Sequence, residues 1–246
     1  MVDFWNKLKV DWYRRGLKES DFTKSVMPII LARAGDSKSF LDIGAGPGTL
    51  SIPLAKAGKD VTAIDPSKNM IDALKEADET KTITTIQAAW GDDDLDIKKH
   101  DVVVCANVPD LLKGNDKFLR EVGGFADKFV FLICSADPSA DKFYYRELMP
   151  LIFNKEFKKR SDYLDTYSTL HSLAVFANVE IIEYDFDQPF TDLDEAIEFW
   201  KEYMGIVTEE HDARLRDFLK EKLIATPDGL LAKFHKKSAV IWWTTS

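Results

Sequence analysis

Phe40-Leu41-Asp42-Ile43-Gly44-Ala45-Gly46-Pro47-Gly48-Thr49-Leu50 decides how the rest of this chain is read. It begins as a short apolar strand, passes through a glycine-rich turn and opens a helix, in which Leu50, Leu54 and Ala57 share a face. Glycine suits such a turn because the backbone must bend sharply and leave room for a ligand. The amides at a helix start point outward and carry partial positive charge, so a nucleotide-like guest is expected.

The spacing narrows the guest. A dinucleotide fingerprint is Gly-x-Gly-x-x-Gly; here Gly44 and Gly46 fit, but Thr49 occupies the third position and the next glycine is Gly48. Asp42 stands two residues before the first glycine. Asp-x-Gly-x-Gly-x-Gly resembles motif I of the class I S-adenosylmethionine (SAM) dependent methyltransferases. In that family the acidic residue lies near the methionine amino group. A second run, Val61-Thr62-Ala63-Ile64, ends in Asp65-Pro66-Ser67, with Met70 beyond it. Asp65 follows Gly48 by 17 residues, close to the roughly 20 of a βαβ unit, where an acidic side chain can accept bonds from both ribose hydroxyls. Ser67 is a plausible N-cap for the following helix.

The 246 residues, 45% of them hydrophobic, suit one large α/β domain. A net charge of −9 disfavours a nucleic-acid phosphate footprint. Cys105 and Cys134 sit in apolar runs and read as buried thiols. No stretch is apolar over a bilayer's length and the N-terminus has no signal-like region, so a soluble cytoplasmic protein is expected.

Residues 1–36 read as two helices separated at Gly16, the second ending at Gly35. Ile83–Ala89, Asp101–Asn107, Phe129–Cys134, Val179–Phe186 and Ala239–Trp243 read as further strands. The run at Asp101–Asn107 is continuously apolar, as a strand buried on both faces should be. Segment 141–177 reads as helical and aromatic-rich, with a basic patch at Lys155, Lys158, Lys159 and Arg160; Leu193–Tyr203 and Asp212–Leu223 read as amphipathic helices. The contiguous Asp92, Asp93 and Asp94 read as a solvated turn rather than a metal site, because adjacent residues cannot all face one ion.

The family resemblance implies a doubly wound, mainly parallel seven-stranded sheet of order 3-2-1-4-5-7-6 with the last strand antiparallel. It divides the single domain into an N-terminal helical cap (1–36), a cofactor core (37–134) and helical insertions (135–178 and 187–235) near the substrate. It implies SAM as cofactor, S-adenosylhomocysteine as product, and Asp42, Gly44, Ala45, Gly46, Asp65, Pro66, Met70, Ala89, Trp90 and Asn107 as cofactor-binding. The adenine-edge contact comes from Ala89 and Trp90 in one alignment and from Asp92 in the other. Asn107-Val108-Pro109-Asp110 resembles the Asn-Pro-Pro-Tyr motif of amino-group methyltransferases, but Val108 and Asp110 replace its second and fourth residues, so no nitrogen acceptor is assigned. No general base identifies itself among Tyr13, Asp110, His100, His171, His211 and His235, and no metal is expected. The acidic composition favours a small-molecule acceptor, with a protein substrate open and nucleic acid disfavoured. A nucleotide-dependent oxidoreductase on a related sheet and a non-catalytic SAM-binding protein are the rival readings.

Overall fold

In the computed structural model the described residues are 4–93, 95–113, 115–137, 141–158 and 162–245. Asp94, Lys159 and Arg160, singled out above, lie outside them, as do the first three positions of the N-terminal cap. In chain order the helices are α1 (Lys7–Lys18), α2 (Phe22–Ala34), α3 (Ser51–Lys56), α4 (Lys68–Ala77), α5 (Pro109–Leu112), α6 (Asp116–Glu121), α7 (Tyr145–Phe153), α8 (Tyr163–Ser172), α9 (Leu193–Met204) and α10 (Asp212–Lys222). The strands are β1 (Ser39–Ile43), β2 (Asp60–Ile64), β3 (Thr84–Ile86), β4 (His100–Ala106), β5 (Ala126–Ser135), β6 (Asn178–Asp185), β7 (Gln188–Phe190), β8 (Ile224–Thr226), β9 (Gly229–Ala232) and β10 (His235–Thr244).

Seven strands form the main sheet in the order β3-β2-β1-β4-β5-β10-β6. All pairs are parallel except those of β10, which runs antiparallel to both β5 and β6. This is the order and the single reversal implied by the resemblance. Apolar runs explain the centre: Val102, Val103, Val104 and Cys105 in β4 are fully buried, as are Val130 to Ile133 in β5. Their side chains alternate between two cores, one under α2 and α3, the other under α6 and α8.

Three expectations are corrected. Gly16 does not separate two helices; it lies inside α1, and the break falls at Glu19–Asp21. The position stays small because a Cβ there would lie 2.8 Å from Gln188 Oε1. The third strand is shorter than Ile83–Ala89, since its sole sheet neighbour β2 ends at Ile64, opposite Ile86. The segment after β6 is not purely helical: β7, β9 and β8 make a small antiparallel sheet beside α9 and α10. That unit has its own core, including Phe190, Phe199, Trp200, Leu215 and Leu219, into which Trp12 of α1 inserts. Trp12 Nε1 donates to Glu195 and the Arg15 guanidinium pairs with the same carboxylate, so α1 and α9 are tied together.

Candidate active site

The carboxyl ends of β1, β2 and β4 open into one cleft of about 1820 Å³. Ligands gather at this edge in doubly wound sheets because helix N-termini and loop amides converge there. The glycine turn forms its floor. Gly44 and Gly46 have φ of +71° and +55°, a region that L side chains rarely enter. A Cβ on Gly44 would also sit 2.3 Å from Val108 Cγ2, so the turn is pressed against the end of β4. At Gly46 the nearest atom to such a Cβ is Met70 Sδ, 3.9 Å away. Gly46 also lines the cleft.

Two carboxylates hold the turn. Asp42 is buried at the end of β1 and accepts a hydrogen bond from Ser51 Oγ at 2.6 Å. Burial pushes its carboxyl up to about 7, and the nearby Asp65 adds to this, while Ser51 works the other way. Asp65 follows β2; its Oδ2 accepts from the Gly46 amide and its Oδ1 from the Ser67 amide, each at 2.9 Å. Ser67 then caps α4, its hydroxyl accepting from Met70 N. The turn, the end of β2 and the start of α4 are therefore one hydrogen-bonded unit.

Of the expected cofactor residues, Asp42, Gly44, Ala45, Gly46, Asp65, Pro66, Met70 and Asn107 line the cleft together. Ala89 and Trp90 do not: Trp90 packs edge-on to Phe118 and Phe125, with centroids 5.7 and 4.8 Å apart, in the core beneath α6. Asp92 accepts from the Ala89 amide and closes its own turn. Gln87 lines the cleft instead. The sequence carried a signal for it: Gln87 directly follows Ile86, the register partner of Ile64, so it ends β3 as Asp65 ends β2.

Tyr13 and Asp110 also line the cleft, while none of the four histidines does among the described residues. His100 sits at the opposite edge, bonded to Thr62 Oγ1. Burial raises the phenol of Tyr13, from α1, above its ordinary value, and the nearby Thr49 side chain works the other way. Asn107, in a left-handed conformation with φ of +57°, turns the chain at the end of β4. Beyond Tyr13 and Asn107 the space continues into a smaller pocket of about 240 Å³ under β6 and β10, lined by Phe22, Tyr184, Phe186 and Tyr203 among others.

Residues 40–125 match the sequence family described as a methyltransferase domain. Over that stretch the chain carries a methyltransferase domain. Its fold is that of a methyltransferase structure from Bacillus halodurans C-125, with TM-score 0.57 at 17% identity, covering 92% of this chain and 99% of that one. It is also that of magnesium protoporphyrin IX methyltransferase from Synechocystis PCC 6803, crystallised with bound S-adenosylhomocysteine (TM-score 0.52, 15% identity, 96% and 87% covered). An uncharacterized protein of Haemophilus influenzae is 28% identical over 213 residues, 84% of this chain and 76% of that one. Shorter matches span only 31–48% of the relatives' lengths and include, by name, a ribosomal RNA small subunit methyltransferase, a ribosomal protein L11 methyltransferase and a ubiquinone biosynthesis O-methyltransferase. Among the described residues no helix is long and apolar enough to cross a membrane, and no group of three or more His, Cys, Asp or Glu side chains could hold a metal ion.

The donor set fits SAM. A buried carboxylate with the Ser51 hydroxyl as its partner suits an ammonium, the Asp65 carboxylate is an acceptor at the end of β2 suited to ribose hydroxyls, and the Gly46 turn leaves backbone room. SAM supplies the activated methyl group on a sulfonium.

Proposed function

We propose that this methyltransferase acts on a small molecule, with Asp42 facing the methionine ammonium, Asp65 the ribose hydroxyls, and Gly44 to Gly46 cradling the cofactor between them. Pro66, Met70, Gln87 and Asn107 complete the cofactor walls. The observation that carries the reading is the shape of the space beyond the turn. The cleft continues past Tyr13 and Asn107 into a pocket of about 240 Å³ whose walls mix aromatic rings, among them Phe22, Tyr184 and Phe186, with polar and charged side chains. That volume suits a compact, flat acceptor. The net charge of −9 adds no attraction for a polyanion.

The chain's contribution to transfer is alignment. Trp5, Tyr13, Phe22, Asn107, Val108, Pro109 and Tyr203 border both spaces, so they frame the junction at which an acceptor atom meets the methyl group. Holding two reactants at such a junction is worth about 7–11 kcal/mol of barrier.

The test is methyl transfer from labelled SAM to three separated fractions of a cell extract: small molecules, protein and RNA. Label entering only the small-molecule fraction supports the reading; label in the protein or RNA fraction refutes it.

A further inference from the structure

One face of the β6–β10 ladder floors the inner pocket. Tyr184 of β6 and Ser238 of β10 share that face. Lys236 is the register partner of Tyr184, and Ser238 that of Ile182, so the two side chains are diagonal neighbours. Both line the pocket. They are 7% and 1% exposed, and their oxygens are 3.0 Å apart, with either able to donate. Each hydroxyl carries one hydrogen, so the bond between them uses one of two. Neither side chain has another hydrogen-bond partner among the described residues. The pair therefore keeps one O–H for the pocket. Burial pushes the Tyr184 phenol up to about 12, so it holds its proton at neutral pH. A buried O–H with no acceptor is costly, and a ligand oxygen in the pocket removes that cost.

The charges around the pocket give it no sign. Lys113, Lys236 and Lys237 line it, and so do Asp137, Asp141 and Asp162. Most of them are engaged within the protein. Lys237 pairs with Glu183, Asp141 accepts from the Arg146 amide, and Asp162 caps α8 through the Leu164 amide. Neither Lys236 nor Asp137 is without a partner, and Lys113 is exposed. A charged ligand would give up its hydration here and meet no net opposite charge. Burying such a charge costs far more than burying a neutral oxygen that finds a donor. The balanced wall and the hydroxyl pair therefore agree on an uncharged guest. Its shape follows from the rings and the room. Phe22 lies 5.1 Å from the Tyr184 ring, and Tyr13 stacks 6.0 Å from Phe186. A space of about 240 Å³ suits one ring with small substituents.

Resting on the small-molecule reading above, we infer that the inner pocket takes the acceptor as a neutral, single-ring molecule, and that the Tyr184–Ser238 pair selects it by donating the spare O–H to an uncharged oxygen substituent on that ring. The ring lies among Phe22, Tyr13 and Phe186. Its far side meets Tyr13 and Asn107, which border both the pocket and the cofactor cleft.

The test uses the full chain saturated with S-adenosylhomocysteine and titrated by calorimetry with four phenols. 3-Hydroxyacetophenone carries a neutral oxygen, and 3-isopropylphenol has nearly its shape without that oxygen. 3-Hydroxybenzoate is anionic and 3-(aminomethyl)phenol cationic. The ketone should bind roughly tenfold tighter than the isopropyl compound, the margin of a hydrogen bond made against a buried O–H left unpaired. Both charged probes should bind more weakly than the ketone. The double variant Tyr184→Phe with Ser238→Ala removes both partners of the bond and so leaves no orphaned group. In it the ketone's margin over the isopropyl compound should vanish, and retained binding of S-adenosylhomocysteine shows that it is folded. Should the double variant not fold, the order of the four probes on the wild type decides alone. The inference is overturned if either charged probe binds as tightly as the ketone, if ketone and isopropyl compound bind alike, if the margin survives in the folded double variant, or if no probe binds at millimolar concentration. Each of these leaves the small-molecule reading standing, because that reading is decided by where the methyl label goes. A wild type that does not bind S-adenosylhomocysteine would instead overturn the cofactor-site reading, and this inference with it.

Discussion

The Asp65 carboxylate accepts a hydrogen bond from the Gly46 amide at 2.9 Å. A side chain at the end of the second strand thereby fixes the shape of a turn 19 residues earlier. Asp65→Ala removes this bond and that to Ser67, and with them the acceptor for ribose. Affinity for S-adenosylhomocysteine should fall roughly tenfold to a hundredfold, as expected for a charge-assisted bond. Asp65→Asn keeps an acceptor for Gly46, so it should hold the fold more closely while still losing affinity. Calorimetry and a urea melt on both variants check this; unchanged affinity in folded Asp65→Ala would reduce Asp65 to a turn residue.

Gly44→Ala should destabilise the fold, and Val108→Ala should only partly rescue it. Two penalties act at this position. The added Cβ meets Val108 Cγ2 at 2.3 Å, and φ is +71°. Trimming Val108 removes the first; the backbone strain, about 1–2 kcal/mol, persists. Urea unfolding of the single and double variants separates the two, and full rescue would show that strain contributes nothing.

SAM binding should weaken as pH falls through neutrality. In the free protein burial holds Asp42 up at about 7, so below that pH the carboxyl is neutral. Pairing with the methionine ammonium requires it ionised, so affinity should drop by up to about tenfold per pH unit below 7 and level off above. The same raised value makes Asp42 bind more protons folded than unfolded between its ordinary 3.8 and about 7, so without ligand its contribution to stability declines as pH rises across that window. Calorimetry in buffers of different ionisation heat should detect proton release near pH 7, and Asp42→Asn should abolish it.

The sheet and half of the site were legible because their signals are local. Short, valine-rich apolar runs such as Val102–Cys105 favour strands buried on both faces, and the distance from Gly48 to Asp65 marks a βαβ unit. Trp90 was misleading because an indole suits either an adenine or a core, and Phe118 and Phe125, distant in sequence, took it. Strands β7 to β9 are three or four residues long, too short for periodicity, although Thr226-Pro227-Asp228-Gly229 between β8 and β9 carries turn chemistry that marks a hairpin. The Tyr184–Ser238 pair depends on the β6–β10 register, which no single strand encodes.

Gly46→Val should abolish SAM binding. Gly46 has φ of +55°, and a branched side chain there would project into the cleft that the turn lines. The Asp65–Gly46 bond would also be disturbed, because the amide moves with the backbone. Thermal shift with SAM reads the loss directly; a normal shift in the variant would mean that the turn does not cradle the cofactor.

The tie between α1 and α9 should loosen in acid. Glu195 accepts from Trp12 Nε1 at 3.0 Å and from the Thr191 amide, and it faces the Arg15 guanidinium. Burial alone would push its carboxyl up, but Arg15, Thr191 and Trp12 outweigh it and hold the carboxyl down at about 2, against an ordinary value of 4.5. A depressed carboxylate stabilises the fold above its unfolded value and loses that contribution as pH falls through the folded one. The loss should therefore run from about pH 4.5 down toward 2. Glu195→Gln keeps the shape but has no proton to gain, so its stability at neutral pH should be lower and its slope in this window flatter. Because α1 carries Tyr13 into the cleft, hydrogen exchange in α1 should quicken in the variant before the main sheet responds. Denaturant melts at a series of pH values give the slope. A variant that tracks the wild type throughout would show that the aromatic core around Trp12 and Phe199 holds the two helices together without the ion pair.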